Sequence, residues 1–189
     1  YCEFLFSTKG LQDELVHLID AVTTNTTDFF REPKHFELLT TEVLPAWRLR
    51  HGRGRVLNIW SAGCSTGMEP YTIAMVLANF ARTCQGFAFS ILASDISTRS
   101  LETAKQGVYE EERVEPVPEH LKREYLMRSI DRKRKLVRVV PEIRRTIRFM
   151  RLNFMDEFRF NAPMDLVFCR NVIIYFDRPT QEKLFRKIC

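Results

Sequence analysis

The residues able to do chemistry in this 189-residue chain cluster in a few short stretches. Ser61-Ala62-Gly63-Cys64-Ser65-Thr66-Gly67 is a run of small residues through which backbone can approach a ligand, and Glu69 follows at once. The loop lacks the Gly-x-Gly-x-x-Gly spacing of dinucleotide binders and the Gly-Lys-Ser/Thr ending of a phosphate loop, which argues against NAD and ATP. Asp95 stands 32 residues beyond Gly63, a place from which a carboxylate can accept hydrogen bonds from both hydroxyls of a ribose. A ribose gripped by an acid, with no phosphate grip beside it, suggests S-adenosylmethionine. Each feature alone has a plainer explanation, a tight turn for the glycine loop and a helix cap for the aspartate. Their order in one chain favours the ligand. The four histidines, His17, His35, His51 and His120, all fall outside these stretches. Five cysteines, Cys2, Cys64, Cys84, Cys169 and Cys189, form no Cys-x-x-Cys pair, so no metal site is expected and they read as reduced thiols of a cytosolic protein. Cys64 and Cys169 read as small packing residues rather than nucleophiles.

Strands and helices must bring these stretches together. Val56 to Trp60 is an apolar run of buried-strand type, the small-residue loop follows it, and Tyr71 to Phe80 reads as a helix. The order recurs. Ala88 to Ala93 is a strand ending at Ser94-Asp95, and Ser97 to Gln106 a helix stopped by Gly107. Thr146 to Leu152 and Met164 to Cys169 are strands ending at Asn153 and at Arg170-Asn171, and Pro179 to Ile188 is a helix. Alternation of this kind specifies an α/β fold with a parallel sheet covered on both faces, and ligands then sit at the carboxyl ends of the strands. Before this region, Leu11, Leu15, Leu18, Ile19 and Val22 recur at helical spacing, and Phe29 to Leu44 suggests a second helical stretch that Pro45 closes or bends. Leu136 to Val140 and the chain from Ile147 are predicted to pair as a small antiparallel excursion.

With 45% hydrophobic and 28% charged residues, and no apolar run near the ~18 residues needed to cross a bilayer, membrane insertion and wholesale disorder are excluded. Lys122 to Arg151 holds twelve basic residues against Glu124, Asp131 and Glu142, so that segment is +9 and the remainder −4. Such a face suits an acidic partner, although a charge run is more often a solvated surface. The first residue is not Met and the chain ends inside a helical pattern, so it reads as an excised fragment.

Four ordered motifs decide between the methyltransferases. Thr24-Asn25-Thr26-Thr27-Asp28-Phe29-Phe30-Arg31, Trp60 to Tyr71, Ala93-Ser94-Asp95-Ile96 and Phe168-Cys169-Arg170-Asn171-Val172-Ile173-Ile174-Tyr175-Phe176 together resemble the CheR-type chemotaxis receptor methyltransferases. The resemblance implies a class I S-adenosylmethionine-dependent methyltransferase (Rossmann-like) sheet, truncated by three strands, with a partial N-terminal helical domain (1–22), a linker and helix over the cofactor (23–54) and a methyltransferase domain (55–189) carrying a small antiparallel β-subdomain (125–146). It implies cofactor contacts from Asn25, Thr27, Arg31, Gly63, Glu69, Asp95, Asn153, Phe154, Arg170 and Asn171, and places Arg31 and Tyr175 nearest the transferred methyl as catalytic residues. It implies S-adenosylmethionine as cofactor, S-adenosylhomocysteine as product, and glutamate side chains on the cytoplasmic helical domain of chemoreceptors as acceptors. Met68 stands where many relatives have a second acid. The glycine-free turn Arg128 to Lys135 argues against a tether to a receptor's C-terminal peptide.

A glutamate acceptor has a solution pKa near ~4.3 and is already anionic at neutral pH, so carboxyl methylation needs no general base. The position of the histidines agrees with that. Two other readings compete: a non-catalytic S-adenosylmethionine-binding signalling module, and a nucleic-acid methyltransferase, whose Asn/Asp-Pro-Pro-Tyr/Phe type motif is not what stands at Arg170 to Tyr175.

Overall fold

The computed structural model describes residues 18, 20, 21 and 26–188. Asn25 and most of the amphipathic stretch between Leu11 and Val22 lie outside these residues; Leu18, Asp20 and Ala21 are helical. The first described helix, α1, runs through Lys34–Leu38, a π-helical turn Leu39–Val43 and Leu44–His51. In chain order there follow β1 (Val56–Ala62), α2 (Met68–Thr83), β2 (Ala88–Asp95), α3 (Thr98–Gln106), β3 (Val108–Glu110), α4 (Glu119–Tyr125), β4 (Leu126–Arg128), β5 (Leu136–Val139), the single turn α5 (Pro141–Arg144), β6 (Ile147–Arg151), β7 (Leu166–Phe168) and α6 (Arg178–Ile188).

The main sheet is parallel throughout, in the order β6-β2-β1-β7. Its central strands are nearly continuous apolar runs because both faces are covered. Alternate residues serve the two sides: Leu57 and Ile59 of β1, with Ile91 and Ala93 of β2, join the larger core beneath α1 and α2. Trp60, Ala62 and Leu92 point to the other face, where Leu184 of α6 and Phe154 meet them. Helix α2 is buried along most of its length, from Met68 to Leu77, since α4 and α5 pack on the side that the sheet does not reach. Among the described residues no helix is long and apolar enough to cross a membrane.

One expectation is narrowed and one corrected. Of the two alternatives at Pro45, closing does not occur, since α1 continues to His51. The helix widens into the π turn just before Pro45, where the Leu44 N–H donates to the Leu39 carbonyl; a wider turn accommodates a residue that has no N–H to give. The antiparallel excursion also has other partners. β5 is the middle strand of a separate sheet, order β3-β5-β4, while the chain from Ile147 forms β6 and lies parallel to β2, Ile147 beside Ile91. The small sheet therefore starts at Val108, ahead of the 125–146 span. The helical turn Pro141–Arg144 redirects the chain between β5 and β6, which prevents a hairpin there.

Candidate functional site

All four strands of the main sheet end at a cavity of about 480 Å³. After β1 the chain turns sharply: the Gly63 and Cys64 N–H groups both donate to the Ser94 carbonyl, at 2.8 and 2.9 Å. Gly63 has φ +75°, and a Cβ there would lie 2.2 Å from Cγ2 of Val172, so only glycine fits. Ser65, also left-handed at φ 49°, aims its N–H at Asp95 Oδ2 over 2.7 Å. The other oxygen of Asp95 accepts from the Ser97 N–H at 2.9 Å, and the Ser97 hydroxyl caps α3 at Ser100. The cap of α3 is therefore Ser97 and not Asp95; each Asp95 oxygen can accept a further hydrogen bond beside the one it takes from these N–H groups, and Asp95 also lines the cavity. Burial pushes its pKa up, against the lowering effect of the Ser97 and Ser65 N–H groups.

Glu69, the second residue of α2, lies on the same wall. Its Oε1 accepts from the Ser61 hydroxyl at 2.8 Å and its Oε2 meets Arg170 Nη1 at 3.4 Å. Burial raises the Glu69 pKa, while Ser61 and Arg170 oppose the rise. Arg170 is a junction. It donates to the Arg31 carbonyl, pairs with Glu32 at 3.3 Å and stands over the Phe36 ring, which stacks on Phe168. Its guanidinium holds the Glu32 carboxyl below the usual carboxylate range.

The segment from Thr26 to Pro33 crosses above this wall as a lid. Phe29 anchors it in the core against Tyr109, ring centroids 5.1 Å apart, and the Phe30 N–H donates to the Thr72 hydroxyl. Phe30 and Glu32 both take left-handed backbone, at φ 53° and 56°, a conformation that persists only where surroundings enforce it. Arg170 and Arg113 add to these anchors: the Arg113 Nη2 donates to the Thr27 carbonyl at 2.6 Å and its Nη1 pairs with Asp28 at 3.1 Å. Arg113 also lies 3.7 Å from the sulfur of Met68.

The opposite wall is apolar. Phe154 and Leu152 follow β6, and Phe154 packs edge-on to Trp60, whose Nε1 donates to the Ser94 hydroxyl. The Asn153 side chain closes a local turn, accepting from the Met155 N–H and donating to Asp156. Asn171, left-handed at φ 57°, Val172 and Tyr175 complete the rim; Tyr175 is 64% exposed at the mouth.

Every sequence-predicted site residue within the described part lines this one cavity: Thr27, Arg31, Gly63, Glu69, Asp95, Asn153, Phe154, Arg170, Asn171 and Tyr175. Sequence reasoning missed Ser65, Phe36 and Ile96, which also line it, and Arg113 behind the lid. The expected packing role of Cys64 and Cys169 agrees with their surroundings: burial pushes both thiols up, Cys169 to about 11. Among the described residues no cluster of potential metal ligands occurs.

Residues 25–189 match the family model of the CheR methyltransferase SAM-binding domain. The chain belongs to the CheR methyltransferase family. Its fold is the class I S-adenosylmethionine-dependent methyltransferase fold. It is 42% identical over 99% of its length to a chemotaxis protein methyltransferase of Borreliella burgdorferi, covering 66% of that protein. It is 37% identical to a probable one of Rhizobium etli (99% of this chain, 69% of that protein) and 43% identical to that of Escherichia coli (89% and 57%). The chain thus spans roughly between half and two thirds of the length of such relatives. The cofactor of a CheR domain is S-adenosylmethionine, and the cavity fits it: the volume lies within the ~300–1,000 Å³ usual for small-molecule sites, a buried carboxylate retains acceptor capacity toward hydroxyls, and Ile96, Leu152 and Phe154 give an apolar wall for an aromatic base.

Proposed function

We propose that this protein methylates glutamate side-chain carboxylates on chemotaxis receptors, giving methyl esters. One observation carries the reading: the strand-end cavity opens beside Arg31 and Tyr175, and among the described residues no histidine lines it, as suits an acceptor that is already ionised. When bound, S-adenosylmethionine supplies an activated methyl group on a sulfonium. Asp95 holds the ribose through its unshared lone pairs, with Gly63 and Ser65 bringing backbone close. Glu69, Asn153, Phe154, Arg170 and Asn171 shape the remaining contacts, and Thr27 belongs to the lid above them; Asn25 is assigned to the same lid from sequence alone. Arg31 docks the acceptor carboxylate and Tyr175 orients it at the mouth. Between them they would hold a carboxylate oxygen facing the methyl that the bound cofactor would supply, with S-adenosylhomocysteine as the leaving product. Holding the two reactants in line, away from water, can supply ~7 to 11 kcal/mol.

The acceptor would sit on the helical cytoplasmic part of a receptor, so the protein works in the cytoplasm. The turn after β4 offers Lys133, Arg134 and Lys135 to that acidic surface. In this reading residues 23–54 form the linker and helix over the cofactor, and 55–189 the methyltransferase domain. The test is incubation with S-adenosylmethionine carrying a labelled methyl and a chemoreceptor cytoplasmic fragment. Base-labile label on the receptor is the expected result; S-adenosylhomocysteine binding with no ester formed would leave only a binding module.

A further inference from the structure

A second cavity, of about 430 Å³, opens at the β6 edge of the sheet and shares no lining residue with the first. Four cations from three adjacent pieces of chain surround it: Lys105 of α3, Arg144 and Arg145 at the end of α5, and Arg148 of β6. No carboxylate lines it. Among the described residues none of the four is in an ion pair. The buried Nε of Arg144 has no hydrogen-bond partner. Other cations of the basic run, Arg123, Lys133, Lys135, Arg138 and Arg151, also lack an ion pair among the described residues, so what sets these four apart is their convergence on one cavity. Four like charges brought together repel one another unless an anion joins them. Guanidinium groups suit phosphoryl oxygens in particular, because their N–H forks bind two oxygens at once. Phe149, half-buried, offers apolar surface beside the cations, backed edge-on by the fully buried Tyr71 with centroids 5.9 Å apart.

We propose that this edge cavity binds an organic diphosphate of the nucleoside type, its phosphoryl groups held by Lys105, Arg144, Arg145 and Arg148 and its ring laid on Phe149. The site is separate from methyl transfer and does not rest on that reading.

Calorimetric titration with inorganic pyrophosphate and with ADP tests it, the ADP arm run in saturating S-adenosylhomocysteine so that adenine cannot enter the strand-end cavity. Both should bind, ADP more tightly than pyrophosphate, and adenosine should not. Arg145 and Arg148 are exposed, so Arg145→Glu and Arg148→Glu test charge without touching the core. Each should weaken both ligands at least about tenfold, the loss of one charged hydrogen-bond partner, and leave S-adenosylhomocysteine affinity unchanged. Absence of pyrophosphate and ADP binding at millimolar concentration would overturn the proposal. So would binding that survives both reversals, or a cavity that takes only a polyglutamate peptide, which would make it a docking face for an acidic protein. The pyrophosphate arm needs no second ligand, so its outcome stands whatever the receptor methylation assay shows.

Discussion

The strand-end cavity and the edge cavity are nearly equal in size, about 480 and 430 Å³, and both are lined by arginine, yet they treat charge in opposite ways. At the strand ends Arg170 is held between Glu69 and Glu32, and the nearby Arg113 faces Asp28. At the sheet edge Lys105, Arg144, Arg145 and Arg148 have no carboxylate partner among the described residues. In the first region most of the positive charge works on the protein itself, fixing a left-handed lid against the strands. Only Arg31, bonded no further than the Thr26 carbonyl, is left for a ligand. In the second, Lys105, Arg145 and Arg148 are exposed and only Arg144 is partly buried. Paired arginines position; unpaired ones recruit.

The sharpest way to break this contrast is to remove one arginine from each side. Arg170→Ala strips the partner from a buried Glu69 and releases the lid, and losing one member of a buried pair costs about 3 to 5 kcal/mol. Arg148→Ala, an exposed residue with no partner, should change stability by less than about 0.5 kcal/mol. Urea denaturation of the two variants compares them directly, and equal effects would remove the distinction. Next in size is the one free arginine of the first cavity. Arg31→Ala should lower the methylation rate by ~10² to 10³ while S-adenosylhomocysteine still binds, since a positioned charge at the reacting centre is worth that much. Tyr175→Phe should slow transfer less, because the ring remains as packing. Single-turnover methylation separates these effects from binding.

A smaller effect is expected from Arg113→Ala. The ion pair to Asp28 is about half exposed, so most of the loss is the hydrogen bond to the Thr27 carbonyl, about 1 kcal/mol or some fivefold in cofactor affinity. This residue shows where the sequence stopped being legible. The four parallel strands could be read because buried parallel strands are apolar runs, and the site because its polar groups follow those runs directly. Arg113 follows no strand of the main sheet and belongs to no motif; only folding brings it to residues 86 positions away. Phe36 and Ile96 escaped for a related reason, being apolar side chains whose lining role cannot be told from core packing. β3 was missed because three residues carry too little pattern, and the passage through Pro45 because a π turn leaves no trace in hydrophobic spacing.

The smallest predicted effect is a shift with pH. Burial raises the Asp95 pKa, so the folded protein holds that proton more tightly than the unfolded chain does. The stability arising from Asp95 is therefore fully present below the unfolded value of about 3.9 and is lost as pH rises through the raised one. Cofactor binding runs the other way, because ribose hydroxyls donate to the ionised form. S-adenosylhomocysteine affinity should begin to fall on acidification at a pH above that of an ordinary aspartate. Calorimetry across the acidic range checks this, and a flat profile down to the ordinary aspartate value would contradict it.

The central claim, that Asp95 anchors the ribose of S-adenosylmethionine at the strand ends, is tested most directly by titrating S-adenosylhomocysteine into the wild-type protein and Asp95→Ala, with retained folding checked by circular dichroism. Loss of two hydrogen bonds to a charged acceptor should cost ~1.5 to 3 kcal/mol or more, a fall in affinity of about tenfold to a few hundredfold. Unchanged affinity in a folded variant would remove Asp95 from the binding site and contradict the account.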